Sequence, residues 1–146
     1  MSGTHNKVSR ASIIQAAADE VAAFDRLCPD WAEWPRSWRG EDSDVVIGQN
    51  IVERLKPFLH ELLRSQLADK TLRRHRDHLW MLGGEIIRRR HDDPDLCKQS
   101  VKALLFNLIE EEGGPLIWPR ISESEQRSFD ATCRKLFRFL QQSEIP

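Results

Sequence analysis

The sequence predicts an all-α protein, a single bundle of about five helices. Apolar residues recur at three- and four-residue intervals in five separate stretches. No stretch alternates convincingly with the period of two that a half-buried strand requires. Helix-capping residues, prolines and glycines fall between the stretches. At 146 residues the chain fits one domain and can bury a real core. It reads as residues 1–43, an N-terminal helix with a tryptophan-rich loop, and residues 44–146, the helical bundle, the two forming one compact domain.

The first helix is expected from Ser9 or Arg10 to Leu27, with Ile13, Ile14, Ala17, Val21, Phe24 and Cys28 at helical spacing and Pro29 as a stop. The segment Asp30 to Gly40 has no clean period and holds Trp31, Trp34 and Trp38. It reads as an ordered loop whose indoles plug into the helical body; the same three residues are also what a partner-binding hot spot looks like. Asp44 is a plausible N-cap for a second helix through Leu67. Its stripe is Ile47, Ile51, Leu55, Phe58, Leu59, Leu62 and Leu63, and Pro57 is expected to kink or divide it.

Ala68 and Asp69 form a break, with Asp69 a possible cap for a helix through Arg90. In that helix Leu72, His75, Leu79, Leu82, Gly83 and Ile86 share one side, while Arg73, Arg74, Asp77, Glu85 and Arg88 project on the other. Gly83-Gly84 inside a helix costs about 1 kcal/mol per glycine relative to alanine, so close approach of a neighbouring helix at Gly83 is expected. Asp93 caps and Pro94 opens the next helix, which reaches Glu112 at most, with Gly113 as its C-cap. Ser122-x-x-Glu125 is a capping box for a last helix carrying Phe129, Cys133, Leu136 and Leu140.

Net charge is −1, but the charges are segregated. From Arg64 to His91 eight Lys/Arg face three acids, a net of +5, and the rest of the chain therefore carries −6. Most of that excess lies between Asp19 and Glu53, where nine acids face three arginines. Such segregation steers encounters with charged partners, or else lets an acidic arm neutralise a basic helix within one fold.

The segment Met1 to Lys7 lacks an apolar leader, and nothing approaches a membrane span. Cys28, Cys97 and Cys133 are odd in number and far apart, which predicts reduced thiols in a cytoplasmic protein. No phosphate-binding glycine loop is present. His75 and His78 would need His91 or Cys97 to complete a metal set, and no paired ligand spacing supports one. Neither metal, cofactor nor catalytic residues are expected. Glu110-Glu111-Glu112 would sit at the unfavourable end of a helix dipole.

The stretch from Phe58 to Gly84 resembles the core-binding domain of tyrosine recombinases of the phage-integrase family. That domain is a small SAM-like helical bundle that grips DNA. Leu67, Lys70, Thr71, His75, Leu79 and Leu82 stand in the places of its recurrent pattern. The similarity would span roughly residues 44–142, a SAM-like four-helix unit with an extra N-terminal helix. Ala68 replaces the usual capping serine. The chain has no tyrosine, so the recombinase nucleophile is missing along with the catalytic domain. The resemblance therefore implies a DNA-binding module of the kind mobile elements encode, detached from any recombinase. It nominates Lys70, Thr71, Arg73, Arg74 and His75 as contacts to the DNA backbone.

Two readings follow. One is a non-enzymatic DNA-binding module using the 70–76 face. The other is a protein–protein adaptor or inhibitor acting through Trp31, Trp34 and Trp38 or an apolar groove. Either is compatible with a monomer or a homodimer.

Overall fold

In the computed structural model, which describes residues 9–144, the protein is all-α. The expected N-terminal segment Met1 to Lys7 lies outside the described residues. Helix α1 (Arg10–Leu27) begins on Ser9, whose hydroxyl accepts from the Ser12 amide at 3.1 Å. Its expected apolar face is buried only at the end: Phe24, Leu27 and the following Cys28 are covered, whereas Ile13, Ile14 and Val21 are more than half exposed. The reason is where α1 touches the bundle. Glu20 meets His60 and Arg64, and Phe24 stacks on His60 with centroids 4.9 Å apart.

The tryptophan segment is ordered as a 3-10 turn (Trp31–Glu33) and a one-turn helix, α2 (Trp34–Ser37). It closes over α3 (Asp44–Arg64) and α4 (Asp69–Asp92). Trp34 and Trp38 are buried and Trp31 half-buried, packed edge-on to Phe24. The Trp38 indole donates to the Trp80 carbonyl at 2.9 Å, and the Trp80 indole donates to Ser37 Oγ at 2.9 Å. Trp38 also explains Gly83. A methyl there would overlap the indole ring, so the close neighbour is this side chain and not a helix.

Pro57 does not divide α3, which runs unbroken through it. Glu53 and Pro57 are both exposed, so water can satisfy the carbonyl that loses its amide partner, and Ile51, Leu55 and Leu59 continue the buried stripe. α3 stops earlier than expected, at Ser65, with Gln66 in the left-handed region at φ 56°.

The next element is shorter than its spacing predicts. Asp93 caps a 3-10 turn (Pro94–Lys98), Ser100 caps α5 (Val101–Leu108), and Ile109 is extended. Glu110 and Gly113 then pair across a tight reverse turn. The three glutamates therefore lie outside the helix, which removes the dipole conflict. α6 (Glu123–Glu144) opens on the Ser122 cap, whose hydroxyl accepts from the Glu125 amide at 3.0 Å. The core runs through the middle of the bundle, where Ile51, Leu55, Leu79, Leu82, Leu104, Phe129 and Leu136 are fully buried. Among the described residues no helix is long and apolar enough to cross a membrane.

Candidate nucleic-acid interface

The basic helix identified in the sequence is α4, and its two ends differ. At the N-terminal end the helix starts after Ala68, which has no side chain to cap it, so no side chain accepts from the first amides. Lys70, Arg73 and Arg74 are exposed there and Thr71 is half-buried. Among the described residues none of the three cations makes an ion pair or a side-chain hydrogen bond. Arg73 shares a cleft with Arg26 of α1, together with Asp69. Arg74 lies on the other side, toward α6, where it and Lys135 both disfavour a charge on His75. The exposed cations thus come from three helices, and Lys135 was not foreseeable from the periodicity of α4 alone.

Arg76 is not part of this set. It bonds Asp77 at 2.8 Å and donates to the Leu27 carbonyl at 2.9 Å, which fixes α1 to α4 and partly neutralises Asp77.

His75 is not brought to the exposed face. It is buried, with Nδ1 2.7 Å from Thr132 Oγ1, and His78 Nδ1 lies 2.7 Å from the same hydroxyl. His78, expected about 60° off the apolar stripe, is buried because α6 covers that flank as well. One hydroxyl carries one proton, so Thr132 donates to one ring and accepts from the other. His75 Nε2 has no partner in the core. An unmatched lone pair is cheaper there than an unmatched N–H, which assigns the proton to Nδ1 of His75 and the accepting Nδ1 to His78. Burial, helped by Lys135, His78 and Arg74, lowers the His75 pKa to about 4, and burial lowers that of His78 as well.

The C-terminal end of α4 is organised around Glu85, which was expected on the solvent side. It is buried because the loop after α5 folds over it: Arg120 donates to Oε1 at 2.6 Å, and Arg89 reaches the Leu116 carbonyl. Arg88 and Arg89 donate to Oε2 at 3.0 and 2.6 Å, and Arg88 also reaches Asp92. Burial raises the Glu85 pKa, but the three guanidinium hydrogen bonds outweigh it and hold the carboxyl at about 2.

The acidic arm does not cover the first turn of α4. Among the described residues its ion pairs go to His60 and Arg64 from Glu20, and to His91 from Asp44 and Glu41. Asp44 is a buried helix-start carboxylate that accepts from the Gly40 and Glu41 amides at 2.8 and 3.0 Å and lies 2.7 Å from His91 Nε2. Its hydrogen bond to His91 raises the pKa of that imidazole. Glu41, Asp44 and His91 are the one group among the described residues whose donor atoms, all within 4.8 Å, could hold a metal ion. The two backbone amides of the preceding loop and the imidazole already occupy Asp44 Oδ2, so the group is accounted for as a loop anchor and ion pair; Asp44 is the first helical residue and not the N-cap of α3.

The tryptophan site of the adaptor reading is likewise altered. Trp34 and Trp38 are core residues, and only Trp31 retains partial exposure. The exposed tryptophans are Trp80 and Trp118. Of the three free cysteines, Cys28 and Cys133 are buried and only Cys97 is exposed; burial pushes the Cys28 thiol up to about 12. No protein family, curated protein sequence or solved structure matches this chain.

Proposed function

We propose that the chain is a non-enzymatic module that binds the phosphate backbone of duplex DNA. The contacts are Lys70, Arg73 and Arg74 at the start of α4 and Lys135 on α6, with Thr71 beside them. The observation that carries the reading is the contrast in ion pairing. Arg88 and Arg89 at the far end of α4 are engaged by carboxylates, whereas among the described residues these cations have none. They surround a helix start without a side-chain cap, where free amides and the dipole favour an anion. The resemblance to the core-binding domain of phage-integrase recombinases points the same way, since contacts from that region go mainly to the DNA backbone. His75 acts indirectly in this reading, as the buried anchor that holds α4 against α6.

The test is a salt titration of duplex binding. With about three or four phosphates neutralised, log K should fall with log salt at a slope of about −3. Arg73→Glu/Arg74→Glu should abolish binding. An absence of wild-type binding at low salt would sink the proposal.

A second reading, a protein partner, draws on Leu116 and Trp118, which are 61% and 46% exposed beside Gln126 and Arg127. An aromatic anchor in such a patch is a hot-spot residue type. Trp118→Ala should then release a partner captured by the wild type, while leaving DNA affinity unchanged.

A further inference from the structure

α1 extends beyond the bundle. No residue between Arg10 and Asp19 is even half-buried, and Phe24 is the first to reach the core. Along this stretch Arg10, Ile14, Ala17, Val21 and Phe24 follow one another at alternating intervals of four and three residues, the spacing with which one helix packs along another. Phe24 is used by the bundle. Ile14 and Val21 are 62% and 57% exposed, so the outer part of the seam has no covering element among the described residues.

The stripe complements itself. When two copies of α1 lie antiparallel, crossing between Ala17 and Ala18, Ile14 of one protomer faces Val21 of its partner and Arg10 faces Asp25. These six residues fall within about 100° of arc on the helix. Arg10 and Asp25 are exposed, and among the described residues neither makes an ion pair or a side-chain hydrogen bond. Each stands about 11 Å along the helix from the crossing point, so both ends of the pair close on opposite charges. A parallel arrangement would set Arg10 on Arg10 and Asp25 on Asp25, and would also align the two helix dipoles. Val21, Phe24, Asp25 and Trp31 line a groove of about 260 Å³ beside α1, and antiparallel pairing lays the outer half of the partner helix along it. Lys56, the lysine of that groove, is held over the Phe24 ring. α1 carries three acids against two arginines, a balance that does not suit an anionic lipid surface.

We infer that the exposed stripe of α1 is the docking surface for a second copy of this chain, the two helices packing antiparallel about a two-fold axis between Ala17 and Ala18. The alanines let the helices approach closely, Ile14 and Val21 supply the apolar contact, and the two Arg10–Asp25 pairs set the direction. A single helix pair is smaller than a standard stable interface, so the dimer is a weak one. Dimerisation is independent of the proposed DNA face, because Arg26, which shares a cleft with Arg73, projects from the other side of α1.

The test is sedimentation equilibrium of the full chain, without DNA, at protein concentrations from about 5 to 500 µM. A monomer–dimer equilibrium with a Kd of about 10–100 µM is expected. Ile14→Glu/Val21→Glu, at exposed positions, should raise that Kd at least about tenfold while the melting temperature of the dilute monomer stays unchanged. Arg10→Glu and Asp25→Arg should each weaken the dimer about threefold or more, although each charge suits its end of the α1 dipole. The double variant Arg10→Glu/Asp25→Arg should restore the wild-type Kd, since it exchanges the two charges of every pair. Arg73→Gln/Arg74→Gln should have no effect. A chain that stays monomeric at about 500 µM would leave the stripe to some other partner and overturn the inference. So would a dimer indifferent to Ile14→Glu/Val21→Glu, or a charge exchange that fails to restore what the single changes remove.

Discussion

The two ends of α4 carry similar charge and use it differently. At the C-terminal end Arg88, Arg89 and Arg120 converge on a carboxylate that is 2% exposed, and the loop after α5 is fastened down by them. At the N-terminal end Lys70, Arg73 and Arg74 make no ion pair or side-chain hydrogen bond among the described residues. A count of basic residues treats the ends alike. Ion pairing separates a structural cluster from a surface that is available to an outside anion.

The largest expected effect lies at the structural end. Glu85→Gln leaves three guanidinium groups facing a neutral side chain and should cost about 3 kcal/mol of folding stability, read by urea denaturation. DNA affinity should not fall. A variant as stable as the wild type would dissolve the contrast.

Acid should act on the two ends in sequence. The His75 pKa is lowered to about 4 from 6.5, so its contribution is lost as pH falls through that interval. Glu85 is lowered to about 2 from 4.5, so its contribution is complete above 4.5 and lost below it. Each shift corresponds to on the order of 3 kcal/mol. His91, whose pKa is raised, runs the other way: its contribution is present below 6.5 and lost as pH rises through its folded value. Thermal melts at pH 7, 5 and 3 should show His75→Gln flattening the upper step and Glu85→Gln the lower one. A wild-type change in melting temperature between pH 7 and pH 5 equal to that of His75→Gln would count against the buried neutral pair.

Between the ends, Gly83→Ala forces a methyl into the Trp38 ring and should cost about 2 kcal/mol. Gly84→Ala, where the nearest Trp38 atom is 3.4 Å away, should be near neutral or slightly stabilising. Equal effects of the two would mean that Trp38 is not seated where described. The smallest effect is that of Arg74→Gln alone. It should reduce the salt slope of DNA binding by about 1 and change stability by less than about 0.5 kcal/mol.

The sequence made much of this legible, and its failures have causes. The Ser9 cap, the Ser122-x-x-Glu125 box and the stripes of α3 and α6 are local signals, and the structure follows them. The spacing places His75 on the buried stripe, and burial decides against the direct DNA contact that its position in the motif implies. Glu85 and His78 looked peripheral because a helical wheel knows nothing of the loop and the helix that later cover those flanks. Ile13, Ile14 and Val21 err in the opposite direction, apolar at regular spacing but with no neighbour among the described residues to bury them. Lys135 is not distinguished by spacing, because its significance depends on which helices meet.

The central claim is tested most directly by two charge-matched double variants, Arg73→Gln/Arg74→Gln and Arg88→Gln/Arg89→Gln, each removing two positive charges from α4. Duplex affinity at low salt and melting temperature are measured for both. The first pair should lose at least about tenfold in affinity and keep its melting temperature; the second should melt earlier and keep its affinity. Equal losses of affinity in both pairs, or full affinity in the first, would contradict the account.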